Sequence, residues 1–401
     1  MSSFVRGNRD LIKAMNRSLV LNTLRREDVL SRTQLTEKSG LSVGTVSQII
    51  TELLSRQWII EIGEGDYTGG RRQTLIRLNP DAGSAIGLKL MENRVACAVT
   101  NIAGKTLYYR DYAYSADANP QAICDKLYEI VQDALNSITA QHGRLLGIGI
   151  GVAGVIDAPR GVVHYSPYFG WRDVSLAQML QDKLAVPVYI ENDVNTLTIS
   201  EQLFGAGRHQ QNYIVATIGR GIGMGIVINH QLFRGSKGGG GELGHITVMQ
   251  DGPQCSCGKR GCLEAVASDP AVVQYVQERL PGNAKALNTL GNILAAAQAG
   301  NPVCREALAR SGEYFGIALS TMINVLNPSL CILSGEGVTA GEFRLNPMRE
   351  ALKKHTFNDL LDSTEFVVEP ADDRMWARGA ASLVISKVFE SPLAEAQITS
   401  L

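Results

Sequence analysis

In the first eighty residues the apolar positions repeat with a helical period, whereas beyond residue 84 they gather into short runs of β character separated by helical stretches. "NRSLVLNTLRRE" sets Leu19, Val20, Thr23 and Leu24 on helical spacing, and "SRTQLTEKSGLSVGTVSQIITELLSRQ" reads as two helices broken at Gly40-Leu41-Ser42. Ser31 and Ser42 are placed to cap them. Leu35, Val46, Ile49, Ile50 and Leu53 predict a small shared core, which leaves Ser42, Thr45, Ser47 and Gln48 facing outward at the start of the second helix. "WIIEIGEGDYTGGRRQTLIRLNP" then predicts a hairpin with Arg71 and Arg72 at its Gly-rich tip. Residues 1–80 therefore read as a winged helix-turn-helix whose second helix enters a major groove, with Arg32, Thr33 and Gln34 as further candidate DNA contacts and the tip arginines near phosphate or the minor groove.

From residue 84 to 401 the pattern is α/β with mixed sheets. "AIGLKLMENRVACAVTNIAGKTLYYRDYAY" reads as a β-meander turning at Glu92-Asn93 and Ala103-Gly104. A helix follows in "NPQAICDKLYEIVQDALNSITAQH", then a buried strand in "LLGIGIGVAG"; later come "VPVYIEND", a helix from Val194 to Phe204, "NYIVATIGRGIGMGIVIN", and a long helix over 303–326 leading into "SLCILSGEG". Gly149-x-Gly151-x-x-Gly154 has the letters of a dinucleotide fingerprint, but Pro159, Gly161 and Pro167 follow where a helix must begin, so no pyrophosphate site is expected. Gly219-Arg220-Gly221-Ile222-Gly223 is either a tight hairpin or a backbone cradle for an anion or sugar.

The length of 401 residues suggests two or three domains, and Pro80-Asp81-Ala82-Gly83 marks a boundary. Residues 1–80 hold 12 Lys+Arg against 8 Asp+Glu, so a charge of +4 sits on the helix-turn-helix part of a chain whose net charge is -1. The polar opening has no signal-peptide pattern and no run approaches the roughly 20 apolar residues of a membrane span, which reads as a cytoplasmic protein with no membrane partner.

Three of the seven cysteines crowd into "GELGHITVMQDGPQCSCGKRGCLEA". His245, Cys255, Cys257 and Cys262 make a full tetrahedral set for a structural Zn2+, with no position left for a reactive water. The alternative is a group of reduced thiols beside a core histidine. A metal there would pin two nearby carboxylates, Glu242 and Glu264.

The ordered set "VYIENDVN", "TIGRGIGMGIV", "FRGSKGGGGELGHITV", "CSCGKRGCLEAVAS" and "INVLNPSLCILSGEG" resembles the ROK family of sugar kinases and sugar-responsive repressors over nearly the whole chain. With the winged module it is similar to the repressor branch, the xylose and N-acetylglucosamine repressors. The resemblance implies an actin-like (ribonuclease H-like) pair of α/β lobes over 84–401, a zinc loop at 245–262, and a monosaccharide in the cleft. It implies sugar contacts from Gly154, Asn192, Asp193, Glu242, His245 and Glu264; the alternative for Asp193 is a cap on the helix beginning at Val194.

ROK kinases carry an Asp-x-Gly-Gly-Thr phosphate loop on the first strand. In register, this chain has Lys89 for the Asp and Met91, Glu92 and Asn93 for Gly-Gly-Thr, with Arg220 in the second loop where kinases place Thr and Tyr168 near a usual sugar-binding Asn. The resemblance thus implies no catalytic residues and a repressor without kinase activity, binding a palindromic operator as a homodimer or tetramer. Two alternatives stay open: an ATP-dependent sugar kinase with a fused DNA-binding domain, and a repressor controlled by a protein regulator.

Overall fold

A computed structural model describes residues 9–64, 73–114, 119–137, 143–283 and 285–390. Its first unit comprises α1 (Arg9–Glu27), β1 (Val29–Ser31), α2 (Arg32–Ser39), α3 (Val43–Ser55), β2 (Ile59–Glu64) and β3 (Thr74–Leu78), with the strands in the order β1-β3-β2. Local chemistry sets the helix ends. Ser31 Oγ accepts from Gln34 N (3.2 Å) while Gln34 Oε1 accepts from Ser31 N (2.8 Å), a complete capping box. Gly40 ends α2 at φ 66°, and Ser42 Oγ accepts from Thr45 N to start α3.

The expected core is present: Leu35, Val46, Ile49, Ile50 and Leu53 are buried together with Val20, Leu21 and Leu24 of α1. The face of α1 differs from the sequence reading in one respect, since Leu19 is exposed and Leu21 takes its place against the core. Strand β1 was not anticipated; three residues are too short to show a period, and pairing with β3 is what defines it.

The remainder forms two lobes. The first contains β4 (Gly83–Leu90), β5 (Arg94–Asn101), β6 (Thr106–Ala113), α4 (Pro120–Ser137), β7 (Arg144–Val152), a small sheet of β8 (Val155–Asp157), β9 (Val162–Ser166) and β10 (Trp171–Val174), then α5 (Leu176–Leu184), β11 (Val188–Asn192) and α6 (Asp193–Phe204). The second contains β12 (Tyr213–Ile218), β13 (Ile222–Ile228), β14 (Gln231–Leu232), α7 (Leu263–Ala267), α8 (Asp269–Arg279), α9 (Leu290–Gln298), α10 (Pro302–Leu326), β15 (Leu330–Ser334), α11 (Glu342–His355) and β16 (Glu365–Glu369). The last helix, α12 (Asp373–Phe389), packs back on the first lobe.

The sheets run β11-β7-β4-β5-β6 and β14-β13-β12-β15-β16, each an antiparallel three-strand meander followed by two parallel strands on its far side. One topology is therefore built twice, the actin-like arrangement. Helices α6 and α12 lie between the two sheets: Val194 and Leu197 of α6 and Trp376 of α12 share a core with Val215 of β12 and Ile332 of β15. This double cover explains why every residue of β4 and β12 is buried, Ser84 and Lys89 included.

The Gly-rich strand "GIGIGV" serves that packing. A Cβ on Gly149 would stand 1.9 Å from Ala380 O, and one on Gly87 2.0 Å from Ala377 O, so α12 rests on strand backbone. After β7 comes β8 rather than a helix, as expected from the prolines. Among the described residues no helix is long and apolar enough to cross a membrane.

Gly149→Ala is expected to lose about 3 kcal/mol in denaturant unfolding, the upper range for overpacking. Gly291→Ala, exposed in α9 with nothing nearer its added Cβ than 4.0 Å, should instead gain about 0.5–1 kcal/mol.

Candidate functional site

A cleft of about 1050 Å³ opens between the lobes, lined by the β4–β5 and β12–β13 turns, the start of α6, the segment after β14, and α12. The six candidate sugar residues, Gly154, Asn192, Asp193, Glu242, His245 and Glu264, all line it. Their availability differs. Asn192 Oδ1 accepts from Val194 N (2.9 Å) and Asn195 N (3.2 Å), and its Nδ2 donates to Gly154 O (3.0 Å), so this side chain is already occupied in capping α6 and fixing the turn after β7. Asn192 is the helix cap; Asp193 is the first helical residue rather than the cap, because its backbone has already turned helical.

Asp193 has a different tie. Its Oδ1 accepts from Val194 N at 2.9 Å, and its Oδ2 is ion-paired with Lys89 Nζ. Lys89 also lies 4.8 Å over the Trp376 ring. Both members of the pair are nearly buried, with side chains 10% and 13% exposed, so each ion depends on the other for its charge to be tolerated. Glu264 Oε2 accepts from Ile222 N (3.2 Å), whereas Glu242 reaches only the neighbourhood of His245 Nε2, at 4.0 Å. Burial, with Asp193 and Glu264 nearby, raises the Glu242 carboxyl above its ordinary range, although His245 opposes this.

The two hairpin tips meet across the cleft. Arg220, at the β12–β13 turn, pairs with Glu92 of the β4–β5 turn and stacks 4.7 Å over Tyr168. Burial pushes the Tyr168 hydroxyl up to about 12. The glycines around Arg220 thus form a tight hairpin, and its tip carries a cation to the other lobe. A second charge pair not anticipated from the sequence joins the lobes outside the cavity: Arg234 Nε donates to Glu191 Oε2 at 2.5 Å, with Glu191 fully buried.

Beside the cleft, His245, Cys255, Cys257 and Cys262 converge so that one ligand atom from each lies within 4.8 Å of the others, a group able to hold a metal ion. Cys255 Sγ is 3.6 Å from His245 Nδ1 and Cys257 Sγ is 3.7 Å from Cys262 Sγ. Backbone geometry holds them there: Cys255 N donates to Lys259 O (2.8 Å), and Gly261, at φ 70°, would place a Cβ 1.7 Å from Met249 O.

On the N-terminal unit, Ser42, Thr45, Ser47 and Gln48 lie along the accessible start of α3, with Arg32 and Thr33 exposed on α2. Gln34 is exposed too, but its amide oxygen is engaged in the capping box, and Arg32 pairs with Glu61 (3.3 Å). Arg71 and Arg72 lie outside the described residues. Two features escaped the sequence reading. Val43 is 70% exposed on α3, and Glu52 gathers Lys13 (3.1 Å), Arg17 (3.4 Å) and Arg56 (3.5 Å) beside that helix.

Residues 85–387 match the ROK family. This chain belongs to that family. In front of the ROK lobes, residues 16–60 match a winged helix-turn-helix DNA-binding family. The ROK chain is 32% identical to the xylose repressor of Bacillus subtilis over 386 residues, covering 94% of this chain and 97% of that one. It shares its fold with the crystal structure of a ROK family transcriptional regulator that is a homologue of the E. coli MLC protein (TM-score 0.84, 23% identity, 96% of this chain and 98% of the other). A ROK glucokinase from Streptomyces griseus in complex with glucose and AMPPNP is similar over 75% of this chain and 99% of its own (TM-score 0.64, 28% identity).

Removing one member of the Lys89–Asp193 pair strands a nearly buried charge. Lys89→Met should therefore destabilise the protein by about 3 kcal/mol, and Lys89→Met/Asp193→Asn should recover most of that loss, measured as a double-mutant cycle in urea.

Proposed function

We propose that this chain is a DNA-binding transcriptional repressor whose operator affinity is set by a monosaccharide in the interlobe cleft. The observation that carries the reading is the pair of replacements at the cleft mouth. Lys89 ties up Asp193, which matches the kinase general base, and Glu92 with Arg220 ties the two former phosphate loops to each other. A carboxylate whose acceptor oxygens are taken by Lys89 and Val194 N does not accept a hydroxyl proton in flight, and a glutamate in the phosphate loop repels a triphosphate. What is left is a sugar site joined to a DNA reader.

The sugar contacts divide by role. Glu242, Glu264 and His245 offer acceptor and donor atoms to hydroxyls, while Asn192 and Gly154 shape the wall through their mutual bond. The cations lining the cleft are already engaged: Lys89 by Asp193, Arg220 by Glu92, Arg94 by Asp373, and Lys259 by the His245 carbonyl. A phosphate ester would have to compete for one of these cations, which favours an uncharged sugar as the effector.

The metal is a structural zinc. Tetrahedral Zn–S bonds of about 2.3 Å and Zn–N bonds of about 2.0–2.1 Å require S···S of about 3.8 Å and S···N of about 3.6 Å, close to the 3.7 and 3.6 Å separations found. His245, Cys255, Cys257 and Cys262 would hold the ion, which would supply rigidity to the loop between Glu242 and Glu264 rather than chemistry. On DNA, α3 would lie in the major groove with Thr45, Ser47 and Gln48 at base edges and Val43 against a thymine methyl, with Arg32 and Thr33 near the backbone and Arg71 and Arg72 near phosphate or the minor groove. A homodimer reads a palindrome with half-sites about 34–36 Å apart or a multiple of this.

Selection of random duplexes on the purified protein, eluted with D-xylose, D-glucose, N-acetyl-D-glucosamine or their phosphate esters, should enrich a palindrome that an uncharged sugar releases, and no sugar should drive ADP formation from ATP. Retention of no specific sequence, or sugar-dependent ADP release, would overturn the reading. Elemental analysis should find one zinc per chain, lost in Cys255→Ser, and chelation should lower both Tm and sugar affinity; full sugar affinity in the zinc-free protein would contradict the role given to the metal.

A further inference from the structure

Helices α6 and α12 each begin in the cleft and end against the DNA-binding unit. At the cleft end, Asn192 caps α6, Asp193 is held by Lys89, and Asp373 and Trp376 of α12 line the cavity. The helices span about 18 and 26 Å at 1.5 Å per residue. They touch backbone to backbone: a Cβ on Gly379 of α12 would meet Leu197 N of α6 at 3.1 Å. Packed this closely, neither can tilt without the other.

At the far end both are held by α1. Arg25 donates to the last-turn carbonyls of α6, Gln202 O (3.1 Å) and Leu203 O (3.0 Å), and its guanidinium lies 5.6 Å from the Phe389 ring. Ser18 Oγ (2.9 Å) and Asn22 Nδ2 (2.7 Å) donate to Phe389 O, the final carbonyl of α12. Arg208, just beyond α6, returns to Arg25 O and reaches Asp28 at 2.8 Å. A cation at a helix C-terminus is favoured by the dipole and by the unsatisfied carbonyls there. Arg25 is only 7% exposed, and burial, followed by its neighbours Arg26 and Arg208, brings its guanidinium down to about 10. Val20, Leu21 and Leu24 of α1 belong to one core with Val46, Ile49 and Ile50 of α3, and Ile199, Leu203 and Phe389 of α6 and α12 close the same core.

We infer that α6 and α12 act as one rigid pair that passes cleft occupancy to α1, and through α1 to the recognition helix, with Arg25 as the positioning residue at the joint. This rests on the sugar-responsive reading above. A ligand shifts DNA affinity only through groups it displaces differently in the two states, and the cleft ends of these two helices are such groups. Neither Arg25, Ser18 nor Asn22 lines the cleft, so the joint is separable from sugar binding itself.

The test uses the full chain as wild type, Arg25→Gln and Ser18→Ala/Asn22→Ala. Operator affinity is measured by anisotropy with and without D-xylose, D-glucose or N-acetyl-D-glucosamine, and sugar affinity by calorimetry with and without the duplex. In the wild type the two ratios should agree, at about 5- to 150-fold. In both variants each ligand should still bind, while the ratio falls towards 1. Variants that respond to sugar as the wild type does would overturn the inference. A wild type that binds its operator but responds to none of the sugars would overturn the sensor reading instead. Should Arg25→Gln lose its cooperative melt, the double variant, which keeps the Arg25 bonds to α6 and removes the two to Phe389 O together with the local bonds of the Asn22 amide, decides.

Discussion

The seating of α12 on bare strand backbone is the constraint from which the rest of the architecture follows. Gly87 and Gly149 let the helix approach β4 and β7 to backbone contact, and Gly379 lets α6 approach from the side. With both helices pressed into that space, the second sheet closes over them through Val215 and Ile332. The cleft is then bounded by elements that cannot move independently: strand ends, the start of α6 and the first turn of α12. Of the glycines that mimic a dinucleotide fingerprint, Gly149 thus serves helix packing and Gly154 the close approach of Tyr165 O, while α1 meets the far ends of the helices through Ser18, Asn22 and Arg25.

Charge placement in the cleft follows from this confinement. Asp193 sits at the start of α6, where the helix dipole favours a carboxylate, but it is nearly buried and needs a partner. Lys89, projecting from the neighbouring strand and resting on Trp376, supplies it. The pair therefore fixes the carboxylate at the start of α6 and the end of β4 to one another across the floor of the cleft.

Much of this was legible in the sequence wherever the determinants are local. The capping residues Ser31 and Ser42 lie within three residues of the groups they satisfy, and the four side chains able to hold a metal lie within eighteen residues, so both groupings are visible along the chain. The six candidate sugar residues do share one cleft, but their bonding was not legible. Whether Asn192 or Asp193 caps α6 depends on where the backbone turns, and the amide of Asn192 is consumed by Gly154, 38 residues away. The Lys89–Asp193 pair spans 104 residues and the Ser18–Phe389 bond 371. No periodicity reports such contacts, because each depends on how complete lobes dock.

The two charge pairs that join the lobes differ in a way that orders the possible motions. Glu92–Arg220 at the mouth has side chains 40% and 56% exposed, so screening leaves it worth about 0–1 kcal/mol. Glu191–Arg234 has its carboxylate fully buried, and separating it would strand a desolvated ion at a cost of about 3–5 kcal/mol. Opening is therefore cheap at the mouth and expensive at the Glu191 end. The hairpin tips are thus the weaker of the two ties and the Glu191–Arg234 pair the stronger. Because Glu191 immediately precedes Asn192, the cap of α6, the stronger tie fixes the second lobe at the foot of a helix whose last turn is held by Arg25 of α1.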